Sequence, residues 1–174
     1  MTIDSTIFAL EPLTVHLHWQ GYLDMDIMAV FEYSNGKRGI ICFGEYGNRE
    51  EFPFMELLGD FQFVEVPVDN QEIIAIAPPS SIEHWQNLSK IWILGWDFAA
   101  LSEGILTDFS KHDVFVEIRQ GDRSWKGESS TLCKGNFVQF GHFVVGGDLS
   151  FIPENHVKIV ELPESMDEVQ NWEL

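Results

Sequence analysis

Asp24 and Asp26, in the run Tyr22-Leu23-Asp24-Met25-Asp26-Ile27, stand two residues apart where an apolar strand begins. In extended chain their carboxylates leave the same face, about 6.6 Å apart along the backbone. At an effective dielectric near 20, two such charges repel by roughly 2–3 kcal/mol. A cation between them offsets that cost, and so does full hydration at a turn. Asp60 follows Gly59 at the end of one apolar segment, and Asp69-Asn70-Gln71-Glu72 opens the next. Calcium takes six to eight oxygens from carboxylates, amides and carbonyls. Asp24, Asp26, Asp60, Asp69, Asn70 and Glu72 would form such a set if the loops at one end of the fold converge.

Other residues suggest weaker chemistry. His16 and His18 share one face of a strand and could ligate zinc or copper, but no third His or Cys has a spacing that points there. Two polar residues on a solvated face are the simpler reading. Asp97, Asp108, His112 and Asp113 could each supply a base. The sequence contains no Gly-x-Ser-x-Gly, P-loop, His-Glu-x-x-His or Gly-x-Gly-x-x-Gly. A non-catalytic protein is therefore expected. Trp85 and Trp125 lie among polar neighbours and are candidates for exposed stacking or, equally, for interface or hinge packing, whereas Trp92 lies in an apolar run and reads as core.

The elements that must position these residues read as strands. Leu13, Val15, Leu17 and Trp19 alternate with Thr14, His16 and His18. Residues 26–33 and 39–43 flank Asn35-Gly36, a hairpin signal because both residues tolerate positive φ. Further strands are predicted at 73–77, 91–96, 114–119, 131–133, 136–145 and 155–161, with a short apolar piece around 54–58. Ser81 could cap a helical turn through 82–88. The pattern predicts an all-β fold, a β-sandwich of two antiparallel sheets with short helical turns. One domain over residues 1–162 is expected, then an acidic tail over 163–174, frayed or weakly helical.

Composition narrows the partners. With 28 Asp and Glu against 10 Lys and Arg among 174 residues, the formal charge is −18. That field repels nucleic-acid phosphates and anionic lipid surfaces, so neither is an expected partner. Multivalent cations are. Fourteen Phe and six Trp argue for a packed core rather than disorder. Two cysteines, Cys42 and Cys133, are too few for a disulfide framework, and no apolar run reaches the ~18 residues of a membrane helix. With an acidic N-terminal stretch unlike a secretory signal, these features lead us to expect a soluble, cytoplasmic protein.

The run His18-Trp19, Leu23-Asp24-Met25-Asp26, Glu32-Tyr33, Asn35-Gly36-Lys37-Arg38-Gly39 and Gly44 resembles the tellurium-resistance TerD/TerA family, nearest its TerA-type domain. Gly59-Asp60, Asp69-Asn70-Gln71-Glu72-Ile73 and Leu88-Ser89-Lys90-Ile91-Trp92-Ile93 extend the similarity over roughly residues 13–160. The resemblance implies a calcium-binding β-sandwich with a stress-associated binding or scaffold role, acting with other proteins of a stress-response complex. It assigns the acidic positions to Asp24, Asp26, Asp60, Asp69 and Glu72, with Asn70 where the family usually has an acid. Residues 61–67, Phe61 through Pro67, replace the family's glycine-rich stretch, which implies one site rather than two. The alternative is a metal-free protein-interaction sandwich, with Phe61, Phe63 and Val64 as its docking residues.

Overall fold

The computed structural model describes residues 5–58, 70–85 and 87–174. Asp60, Asp69 and residues 61–67 lie outside them. Among the described residues the strands are β1 (Thr6–Phe8), β2 (Leu13–Trp19), β3 (Met25–Tyr33), β4 (Arg38–Ile41), β5 (Gly47–Asn48), β6 (Met55–Leu57) and β7 (Asn70–Ile76). They continue as β8 (Leu88–Asp97), β9 (Thr107–Asp108), β10 (Phe115–Gln120), β11 (Arg123–Lys126), β12 (Lys134–Gly135), β13 (Phe137–Val145) and β14 (Leu149–Lys158). One α-helix, α1 (Phe98–Glu103), follows β8.

Two six-stranded antiparallel sheets face one another. Sheet A has the order β1-β14-β13-β8-β3-β4, sheet B the order β11-β10-β2-β7-β6-β5, and β9 pairs with β12 apart from both. The architecture is the expected β-sandwich. Its main core lies between the sheets, where Val15, Leu17, Ile74 and Ile76 of sheet B meet Ile27, Ala29, Ile91 and Ile93 of sheet A, all fully buried. The period-two alternation of β2 and β3 creates that core, since each strand sends every second side chain inward.

β13 needs a correction to its alternation. Val138 and Phe140 face the core, and so does Phe143, three residues later. A register shift between Gln139 and Gly141, seen against both β8 and β14, inserts the residue that changes the phase. Gly141 stands at that shift because a Cβ there would run into the Ile152 carbonyl and the Phe151 ring. The β3–β4 hairpin also departs from the expected turn. Only Gly36 takes positive φ (83°), and the Asn35 side chain accepts a hydrogen bond from Lys37 N at 2.9 Å.

The outer face of sheet A is covered by the chain's last residues. Met28, Val30, Trp92, Leu94, Trp96 and Phe137 form a second apolar cluster with Leu101 of α1 and Val169. Of the two forms expected, the tail is helical in part rather than frayed: a 3-10 helix spans Met166–Asn171, and Val169 is 2% exposed. Arg38 Nη1 donates to the carbonyl of Trp172 at 2.6 Å, and Lys158 Nζ donates to that of Glu173. Trp172 packs against Phe137 with ring centroids 6.0 Å apart. An acidic stretch reads as solvated from composition, but cationic Arg38 and Lys158 anchor its backbone and its few apolar residues dock.

Trp85 is likewise corrected. It ends the 3-10 helix Ile82–Trp85, is fully buried, and donates its indole N–H to Pro53 O at 2.9 Å. Trp125 is half-buried against Phe151, centroids 4.9 Å apart. Trp85 is therefore not a stacking platform. Trp85→Ala is expected to lower unfolding stability by about 3–5 kcal/mol in chemical denaturation. A loss under about 1 kcal/mol would contradict the buried placement.

Candidate functional site

Asp24 and Asp26 share a face as the sequence predicts, and that face is the outer one of sheet A. Asp26 is in register with Trp96, a member of the outer cluster, while neighbouring Ile27 points into the main core. The two carboxylates line a cavity of about 300 Å³ with Met28, Cys42, Trp96 and Phe98, and Phe43 and Met166 close its sides. Asp24 is exposed and Asp26 half-buried. Asp26 Oδ2 accepts the Trp96 indole N–H at 3.1 Å.

Four chain segments build this cavity. β3 delivers Asp26 and Met28. β8 ends at Asp97, whose buried side chain caps α1 by accepting from Ala100 N at 3.2 Å and also accepts the Thr107 hydroxyl at 2.6 Å. That cap turns the chain so that Phe98 follows Trp96, centroids 6.3 Å apart, and Phe98 N donates to Asp24 O at 2.8 Å. Beyond β4 a tight turn, closed by the Cys42–Glu45 bridge with Gly44 at φ 89°, carries Phe43 at its tip. The tail supplies Met166. Phe43 is 58% and Phe98 40% exposed, so both form the rim. Burial pushes the Cys42 thiol up to about 11, with the Glu45 and Asp26 charges adding to the effect. The thiol therefore stays protonated at neutral pH.

Glu72 lies elsewhere. It is in register with Leu17, so it points between the sheets, and it is 2% exposed. Its Oε2 accepts the backbone N–H of Ile27 at 2.7 Å. β4 pairs only with Ala29–Glu32, leaving that stretch of the β3 edge without a β4 neighbour. Glu72 supplies the acceptor there, across the sandwich. Asn70 opens β7 and donates from Nδ2 to Gly21 O at 3.0 Å. Thus Asp24 and Asp26 come together on the outer face, while Glu72 is directed into the interior and Asn70 holds a loop. No group of three His, Cys, Asp or Glu arranged to hold a metal occurs among the described residues.

The remaining candidates are occupied within the fold. Asp108 accepts from Ser110 Oγ at 2.7 Å and pairs with Lys111, contacts that hold its carboxyl below the usual carboxylate range. His112 Nδ1 lies 3.1 Å from Gln20 O, and Asp113 accepts the Ser129 hydroxyl at 2.6 Å. Sequence reasoning missed Phe43, Phe98 and Met166 as cavity residues. The Gly44 turn hints at Phe43, but nothing local in the sequence places Met166 beside Asp24. Comparisons with family models, curated proteins and solved structures find no match.

His16 and His18 stack on the outer face of sheet B, centroids 5.9 Å apart, and His18 Nε2 lies 3.2 Å from Glu117 Oε2. Burial lowers the pKa of both from the ordinary 6.5, against the opposing pull of Gln71 on His16 and of Glu117 on His18. The unfolded chain therefore binds these protons first as pH falls, so stability is fully present above 6.5 and declines below it. Denaturation at about pH 7.5 and 5.5 should show this loss, and a His16→Gln/His18→Gln variant should flatten it. An unchanged slope in the variant would contradict the assignment.

Proposed function

We propose that the protein is a non-catalytic binding module of the TerD/TerA kind, taking a cation at the outer-face cavity with Asp24 and Asp26 as its anionic groups. The observation that carries this reading is their shared face: two carboxylates open into one cavity of about 300 Å³ at the end of a sheet. The net charge of −18 concentrates cations around the molecule, and this cavity gives one of them a defined place. Calcium is the ion that the resemblance implies. Two carboxylates completed by water make a weak site, at the 10⁻⁴–10⁻³ M end of the known range or roughly there.

A second reading, a metal-free protein-interaction domain, is favoured by the exposed aromatic rim of Phe43, Tyr46 and Phe98. Melting in about 0.15 M KCl, with and without calcium, separates the two. Calcium should raise Tm in the wild type and in Glu72→Gln, and the rise should vanish in Asp24→Asn/Asp26→Asn. A rise that persists in that double variant is screening of the net charge and overturns the calcium reading. No rise in the wild type selects the metal-free one.

A further inference from the structure

The walls of the Asp24/Asp26 cavity name the chemistry of its occupant. Calcium wants six to eight oxygens, yet beyond the two carboxylates the described residues lining the cavity are Met28, Cys42, Phe43, Trp96, Phe98 and Met166, and none of these side chains carries an oxygen. Thioethers and aromatic rings match hard divalent ions poorly, whereas they suit a cation with an apolar stem. An aromatic face attracts an ammonium or guanidinium within about 6 Å of its centroid, and most of all when water is excluded. Alkyl stems of Lys- and Arg-like groups pack along apolar surface while the charged head reaches an anion.

We propose that the cavity binds an organic ammonium or guanidinium group on an alkyl stem, free or carried on a basic side chain. The stem lies against Met28, Met166 and the Phe98 ring, and the charged head meets Asp24 and Asp26. At about 300 Å³ the cavity is at the small end of ligand pockets, room for a side chain or small amine rather than a nucleotide cofactor. Trp96 ties the two parts of the site together: its indole N–H is bonded to Asp26 Oδ2, and its ring stands 6.3 Å from Phe98. Cys42 adds a neutral thiol, and none of the described lining residues carries a positive charge. The inference rests on the cavity being the cation site proposed above, and it adds an organic cation with an apolar stem to what that site takes.

The test is a titration followed by the Trp96 indole N–H resonance and by calorimetry, in about 0.15 M KCl. The probes are n-butylammonium, n-butylguanidinium, a blocked lysine amide and uncharged n-butanol. The charged probes should move the Trp96 resonance with saturation, and n-butanol should not. Asp24→Asn/Asp26→Asn should weaken binding by about tenfold or more, and Phe98→Ala by about threefold. Tighter binding of the lysine amide than of butylammonium identifies a protein side chain as the source, and the reverse identifies a free amine. Calcium binding at Asp24 and Asp26 without any response to the amines overturns this inference and leaves the cavity reading intact. Amine binding that survives in the double variant overturns both.

Discussion

The backbone N–H of Ile27 donates to Glu72 at the point where β3 has no β4 alongside. That bond joins the two sheets at a residue of β3 whose side chain turns to the core. With Ile27 turned to the core, the pleat sends Asp26 and Met28 outward, and Asp24 opens into the same cavity. A one-residue slip of β3 would put the aspartates in the core and Ile27 in water. A buried backbone N–H is costly without an acceptor, and Glu72 supplies one to Ile27.

The outer face of sheet A is a second core rather than a solvated surface. α1 and the tail cover it over Trp92, Trp96 and Phe137, and the cavity is what remains open between them. The tail contributes to the site as well as to stability, because the segment that places Val169 also brings Met166 to the cavity wall. Arg38 is central to this docking. It pairs with Glu32 at 2.7 Å, bonds the tail carbonyls of Val169 and Trp172, and lies 5.1 Å from the Trp92 ring centroid. In a chain this acidic, one well-placed guanidinium organises more of the backbone than its share of the charge suggests.

Much of the sandwich was legible in the sequence where burial alternates. β2 sends Leu13, Val15, Leu17 and Trp19 inward as its pattern predicts, though His16 on the opposite face is buried too, and the common orientation of Asp24 and Asp26 follows from extended chain. The pattern failed where tertiary contacts override local context. Trp85 has polar neighbours in sequence but ends a 3-10 turn that drops its ring into the core. Residues 131–133 read as a strand, yet the structure has a 3-10 helix at Ser129–Thr131 before β12. The inward direction of Glu72 is not legible either, because sequence spacing does not reveal which face of β7 is inward until its register with β2 is known. Met166 and Phe98 carry no local signal, since their meeting with Asp24 depends on two separate turns of chain.

The most direct test of the separation between the outer-face cavity and the interior Glu72 is a crystal structure grown with millimolar calcium and soaked with n-butylammonium. The account predicts ligand density beside Asp24 and Asp26 on the outer face of sheet A, with Ile27 N still bonded to Glu72. An ion shared by Asp26 and Glu72, with the Ile27 bond broken, would contradict it.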